Sequence, residues 1–304
     1  MKKALSIFIL SLNLVAFENI VFAKTLIDEC QTFSESGDYK RAIEAGKLAV
    51  KKYPKDAEAY FCLGKAYYNV GELELAYKNL KKAEGLTNNK KGLMYIYNKI
   101  GQVLNNMDKL DDALLYYNRS LNLARELGDT YMQASVLNNI AYIFDLKGES
   151  NKAIGYYEES LSLTTNEKDK APTYNNIALI YYTKGDFQKA AEYFQKAIEI
   201  GERYGKYRDV SIYKLNLGET YRKMGDYENA EKYLFEGLEG VKKVGDKYWE
   251  ATGYVYLTWL SGDKGDIKRI KEYITRAYNL YKSIGAEESA QTLLNVMKEL
   301  EKIR

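Results

Sequence analysis

The sequence predicts an all-α chain, a stack of about seven helix-turn-helix units closed by one C-terminal helix. Three observations carry that expectation. Small residues recur at Ala42, Ala76, Ala113, Ala153, Ala190 and Ala230, continued by Ile270, at steps of 34, 37, 40, 37, 40 and 40. Two further columns keep the same steps: Gly37, Gly71, Asp108, Gly148, Gly185, Gly225 and Gly265, and Cys30, Gly64, Gly101, Ala141, Ala178, Gly218 and Thr258. A period of ~34 residues is that of a repeated helical pair. Finally, the 304 residues contain only two prolines, Pro54 and Pro172, against 30 tyrosines. Little therefore interrupts a helix, and much amphipathic surface is available to pack one against another.

Residues 1–23 form the first element in the chain. Met1-Lys2-Lys3 is a basic start, Ala4 to Phe17 is an apolar run broken by Ser6, Ser11 and Asn13, and Val21-Phe22-Ala23 resembles a cleavage site. This pattern is that of a bacterial secretory signal, and the mature chain is expected to begin at Lys24. An uncleaved membrane anchor and an apolar helix packed on the fold are the competing readings, and Glu18 and Asn19 fit neither a span nor a signal well. Cys30 follows Asp28-Glu29, which does not match a lipid-attachment site.

Residues 24–285 carry the repeats. In the first helix of each unit, apolar residues fall at the i, i+3, i+4, i+7 spacing of one buried face, as in Tyr60, Leu63, Gly64 and Tyr67, or Tyr174, Ile177, Ala178 and Tyr181. The second helix has its own stripe, as in Ala190, Phe194 and Ala197. Between them, Gly185-Asp186-Phe187 and Gly225-Asp226-Tyr227 place a Gly where one helix ends and an Asp where the next begins. Residues 286–304 read as a lone helix with Leu293, Leu294, Met297 and Leu300 on its apolar side, which caps the last pair.

From Tyr60 to Ala83 the aromatic, Leu-Gly, Tyr, Gly, Ala, Ala pattern resembles the tetratricopeptide repeat family, in its long-helix form of 34 to 40 residues per unit, and the resemblance extends from Lys24 to about Ile284. It implies a right-handed α-solenoid. Departures are local: Glu29, Asp108, Lys214, Ser261 and Ile270 replace expected apolar, Gly, aromatic, Tyr and Ala residues.

The absence of His excludes a serine triad, imidazole acid–base chemistry and His-ligated zinc. No Cys-x-x-Cys or phosphate-cradling loop occurs, so neither catalysis nor a cofactor or metal is expected. A formal charge of +3, from 45 basic and 42 acidic side chains, makes no case for nucleic acid. Cys30 occupies the small-residue column and reads as a close-packing residue; a bond to Cys62 in the next unit is the alternative.

One polar constellation stands out. Asn139, Asn176 and Asn216 each precede the apolar-small pair of a first helix, with Asn98 and Lys99 one unit earlier. The resemblance implies that first helices line a concave groove, where such amides hold the backbone of an extended peptide while Gln102, Tyr142, Tyr182 and Arg222 add selectivity. The competing reading makes the Asn internal struts of the stack. The chain is thus expected to be an exported, periplasmic or extracellular scaffold for a protein or peptide partner, without a stable membrane span after cleavage. A peptide-sensing regulator kept in the cytoplasm is the rival.

Overall fold

The computed structural model describes residues 25–302, which form fifteen α-helices and one 3₁₀ turn. The signal-like residues 1–23 lie outside the described residues. The described residues are all-α, and their helices fall into two compact units, up to Glu149 and from Ser150 onward.

The first unit contains α1 (25–35), α2 (Tyr39–Lys52), α3 (Ala57–Asn69), α4 (Leu73–Glu84), α5 (Lys90–Asn106), α6 (Leu110–Glu126) and α7 (Thr130–Leu146). The small-residue columns are where paired helices approach each other. A Cβ added to Gly101 on α5 would lie 2.6 Å from the ring of Tyr117 on α6, which is fully buried. α1 is held by Leu26 and Ile27 against Ala49 and Ala59. It is also held covalently: Cys30 and Cys62 form a disulfide between α1 and α3, with their Cα atoms 6.3 Å apart. Cys30 is fully buried, as a small-column residue should be, but packing is only part of its role. Cys62 sits two residues before the same column in the next unit, so stacking of the first helices places the sulfurs face to face.

The second unit contains α8 (Ser150–Leu163), the 3₁₀ turn Glu167–Asp169, α9 (Ala171–Thr183), α10 (Phe187–Arg203), α11 (Tyr207–Lys223), α12 (Tyr227–Lys243), α13 (Lys247–Asp263), α14 (Ile267–Ser283) and α15 (Glu287–Lys302). Phe194, Ala178 and Leu217 centre one cluster, and Leu234, Leu238 and Leu257 the next. Ala290 of α15 is buried with Tyr281 and Ala251, and Leu293 packs beside them. The other residues of the expected apolar side, Leu294, Met297 and Leu300, are half-buried.

The departure at Lys214 has a structural counterpart. Where repeat seven has Tyr254, whose hydroxyl accepts from Lys242 (2.7 Å) and Arg276 (3.0 Å), repeat six has Lys214 donating to Glu202 (2.8 Å) and Glu236 (2.9 Å). The charges are reversed at the two flanking places, and a cation stands where the other repeat has a neutral phenol, so the exchange is internally complementary.

The turns follow one scheme. Gly185 has φ +79°, the amide of Asp186 donates to the carbonyl of Tyr181 (2.9 Å), and the Asp186 carboxylate accepts from the amide of Lys189. Gly ends one helix in the left-handed region and Asp caps the next. Asp108 stands in the same column with φ +57°, the one non-Gly residue among the described residues with positive φ. Asp108→Gly should relieve this strain and raise stability by about 0.5–1 kcal/mol, the relief of a left-handed side chain less the extra entropy of an unfolded Gly. Chemical denaturation checks the sign, and destabilisation would mean that the Asp108 side chain contributes more than its backbone costs.

Candidate functional site

The candidate residues lie on the faces formed by the first helices of successive pairs. In the first unit these helices are α1, α3, α5 and α7. Asn139 of α7 donates to the amide oxygen of Asn98 of α5 (3.0 Å). Asn98 sits one residue earlier in its repeat than Asn139 does, so the bond runs diagonally between the two helices. Asn98 is buried. Beside it the Lys99 ammonium donates to Gln102 Oε1 (2.5 Å) and lies 4.7 Å from the ring centre of Tyr68 on α3. Burial lowers the pKa of Lys99 to about 8, and the charge of Lys65 on α3 adds to the effect. Tyr142, one turn beyond Asn139, is exposed.

In the second unit the first helices carry another amide run. Asn216 of α11 donates to Asn175 of α9 (3.4 Å), and Asn175 donates to Asn176 (3.4 Å). Further along the same face is a closed ionic network. Glu219, almost fully buried, accepts from Arg222 Nε (2.7 Å) and Nη2 (2.8 Å) and from the Tyr182 hydroxyl (2.9 Å). Arg222 Nη1 also donates to Asp263 of α13 (2.5 Å). The bonds to Glu219 raise the Arg222 pKa above its ordinary value despite burial, with Asp263 adding to the rise. Burial, followed by the Glu219 charge, pushes the Tyr182 phenol up. Trp259 of α13 is half-exposed, with its ring 5.6 Å from the Arg222 guanidinium.

The structure thus groups Asn98, Lys99, Gln102 and Asn139 in the first unit, and Asn176, Asn216, Tyr182 and Arg222 in the second. Tyr182 and Arg222 both donate to Glu219, so these two side chains are engaged within the fold. The Asn side chains are partly committed too, each pair using one N–H and one carbonyl lone pair and leaving further donors and acceptors. Among the described residues, no group of three or more Cys, Asp or Glu is arranged to hold a metal ion.

Comparison with known proteins agrees with this architecture. Tetratricopeptide repeat models match residues 92–166 and 169–243, and a TPR repeat model matches residues 31–71, together more than half of the chain. The chain belongs to the tetratricopeptide repeat family. Over 73 residues the chain is 34% identical to the Sol locus transcriptional repressor of Clostridium acetobutylicum, covering 24% of this chain and 21% of the repressor. The chain therefore matches only about a fifth of that relative's length. Two solved structures share the fold at low identity. The apo form of the quorum sensor NprR from B. thuringiensis superposes with a TM-score of 0.67 at 17% identity, over 92% of this chain and 87% of that one. The APC/C hetero-tetramer Cut9–Hcn1 superposes with a TM-score of 0.65 at 16% identity, over 87% of this chain and 48% of that one.

The tetratricopeptide register also shows what the sequence reading passed over. Glu219 and Lys65 immediately follow the small-column residues Gly218 and Gly64, the same place at which Gln102 and Tyr142 follow Gly101 and Ala141. Reading that column through every repeat would have found both. Asn175, the acceptor for Asn216, was legible only as a neighbour of Asn176.

Proposed function

We propose that this tetratricopeptide-repeat protein is an exported, non-catalytic scaffold that holds an extended segment of a partner protein against its first-helix faces. The observation that carries the reading is the amide arrangement: Asn139 with Asn98, and Asn216 with Asn175 and Asn176, occupy one register position and its neighbour in successive repeats. Each amide retains both a donor and an acceptor, which is what a peptide backbone requires whatever its side chains. Neighbouring first helices spaced ~10 Å apart would meet a chain advancing ~3.3 Å per residue once in about three residues. Export is supported by the basic start and apolar run of residues 1–23, and by the Cys30–Cys62 disulfide, a bond that persists in oxidising compartments.

The likeness to a quorum sensor over 92% of the chain favours a second reading, a peptide-sensing regulator retained in the cytoplasm with its N-terminal segment uncleaved. One preparation separates the two. Protein recovered from an envelope fraction should have an intact mass beginning at Lys24, and full-length protein in the cytoplasm would transfer the assignment to the sensor. In that mature chain, replacing Asn139, Asn176 and Asn216 together by Ala should weaken binding to a partner captured and identified with the wild type by about one to three decades, three hydrogen bonds being worth ~1.5–4.5 kcal/mol. The melting temperature should stay close to wild type. Markedly earlier melting would make the Asn struts, and unaltered binding by a stable variant would remove the partner from these faces.

A further inference from the structure

We infer that the cleft in which Lys242, Tyr254 and Arg276 converge, on the second-helix side of α13, is a binding site for a phosphodiester group. The inference goes beyond the scaffold reading and does not depend on it. Tyr254 and Asp263 are nine residues apart on α13, about two and a half turns, so they lie on opposite sides of that helix. Asp263 belongs with Arg222 to the amide-bearing face, and Tyr254 lies away from it.

α12, α13 and α14 surround a cavity of about 370 Å³. This is toward the lower end of the range for small-ligand sites. Its floor is Tyr254, only 4% exposed, whose hydroxyl oxygen accepts from Lys242 Nζ (2.7 Å) on α12 and Arg276 Nη1 (3.0 Å) on α14. Both lone pairs are then used, and among the described residues the hydroxyl proton has no acceptor. Lys242 also has no carboxylate partner among the described residues. Of the two acids at the cavity, Glu272 takes Arg276 Nη2 (2.8 Å) and Glu239 takes Lys243 (2.7 Å). Lys242, Arg276 and Glu272 therefore leave one positive charge, beside an O–H and further N–H donors that meet no acceptor. The preceding repeat closes the equivalent place with opposite charges, Lys214 between Glu202 and Glu236. Tyr254, between two cations, supplies no such charge.

The missing partner is an acceptor with one negative charge. Donors reach the cavity from three helices, which suits three oxygens of a tetrahedral group better than the two coplanar oxygens of a carboxylate. Bonds from charged donors to phosphate oxygens are shorter and stronger than neutral ones. A phosphodiester carries one negative charge, equal to that left at the site, whereas a monoester carries close to two. The walls suit the ester substituent. Phe235, Leu238 and Tyr273 line the cavity, with the Tyr273 ring 6.0 Å from that of Tyr254, and they give an apolar or aromatic group a surface to lie on.

The test uses the protein as recovered from cells, titrated with methyl phenyl phosphate, phenyl phosphate and benzoate and followed by backbone amide shifts. The diester should move amides of α12, α13 and α14 and bind at least tenfold more tightly than benzoate. Tyr254→Phe and Lys242→Met should each weaken it by roughly tenfold to a hundredfold, the range for one charge-assisted hydrogen bond. Glu272→Gln should instead tighten binding, and more for the doubly charged monoester than for the diester, an effect that purely structural side chains do not produce. Sedimentation with phosphatidylglycerol vesicles then assigns the source. Co-sedimentation of the wild type that Lys242→Met abolishes supports a lipid headgroup, and diester binding without co-sedimentation supports a free ester. Benzoate binding as tightly as the diester, or diester binding unchanged in both Tyr254→Phe and Lys242→Met, would overturn the site. So would binding of none of the three probes. Each of these failures leaves the peptide reading standing, since that reading is tested on the opposite face.

Discussion

Unfolding of an Arg222→Met variant at neutral pH is expected about 3–5 kcal/mol below wild type, the loss that follows when one partner of a buried ion pair is removed. The Arg222 and Glu219 side chains are 10% and 3% exposed, so solvent screening does not reduce the cost to that of a surface pair. Without Arg222 the buried Glu219 carboxylate keeps the Tyr182 hydroxyl but loses the cation that paired with it. Adding Glu219→Gln should recover most of the deficit, because the unpaired charge is then gone. Denaturant titrations of both variants at neutral pH provide the measurement. A deficit under about 1 kcal/mol would show that the network is screened and carries little of the fold.

Breaking the Cys30–Cys62 bond should have the second large effect. The disulfide closes a loop with a sequence separation of 32, for which the chain-entropy account gives about 3–4 kcal/mol. The loss should be local. α1 is otherwise held by noncovalent contacts alone, Leu26 and Ile27, Phe33 beside the disulfide and the Gln31–Glu58 hydrogen bond, and contacts in a repeat array run between neighbours. Amide hydrogen exchange in residues 25–69 should accelerate in Cys30→Ala/Cys62→Ala and, equally, in reduced wild type, a comparison that separates the bond from the packing of its sulfurs. Trp249 and Trp259 both lie on α13 in the second unit, so the midpoint of their fluorescence change should not move. Unchanged exchange in both preparations would mean that α1 is held by its apolar contacts alone.

The pairs of helices, their turns and the closing helix were legible in the sequence because each rests on neighbours a few residues apart. Gly185 with Asp186 marks a helix end and a helix start wherever the chain goes next, and the spacing of Tyr174, Ile177, Ala178 and Tyr181 specifies a buried stripe before any partner is known. Asp108 was legible in the same way as the residue out of place in a column of Gly, and it has the left-handed backbone that the column implies. The candidate polar face was legible as a register: Asn139 and Asn216 were found because small residues fix the rotation of each first helix.

What the register could not supply was the offset between one first helix and the next. Asn139 meets Asn98, one residue out of column, and Tyr182 meets Glu219 across a separation of 37 residues. Arg222 reads from the sequence as a side chain free to select a ligand, yet Glu219 one turn before it and Asp263 on α13 bind it. Cys30 reads as one more small residue, and only the stacking of α1 on α3 brings Cys62 to it. By itself the sequence determined which residues are helical, which are buried and which face the same side, since periodicity, capping and side-chain size act over one or two turns. The tertiary structure alone decided which charges and amides are satisfied within the protein, because that depends on translations of a few ångströms between helices some forty residues apart.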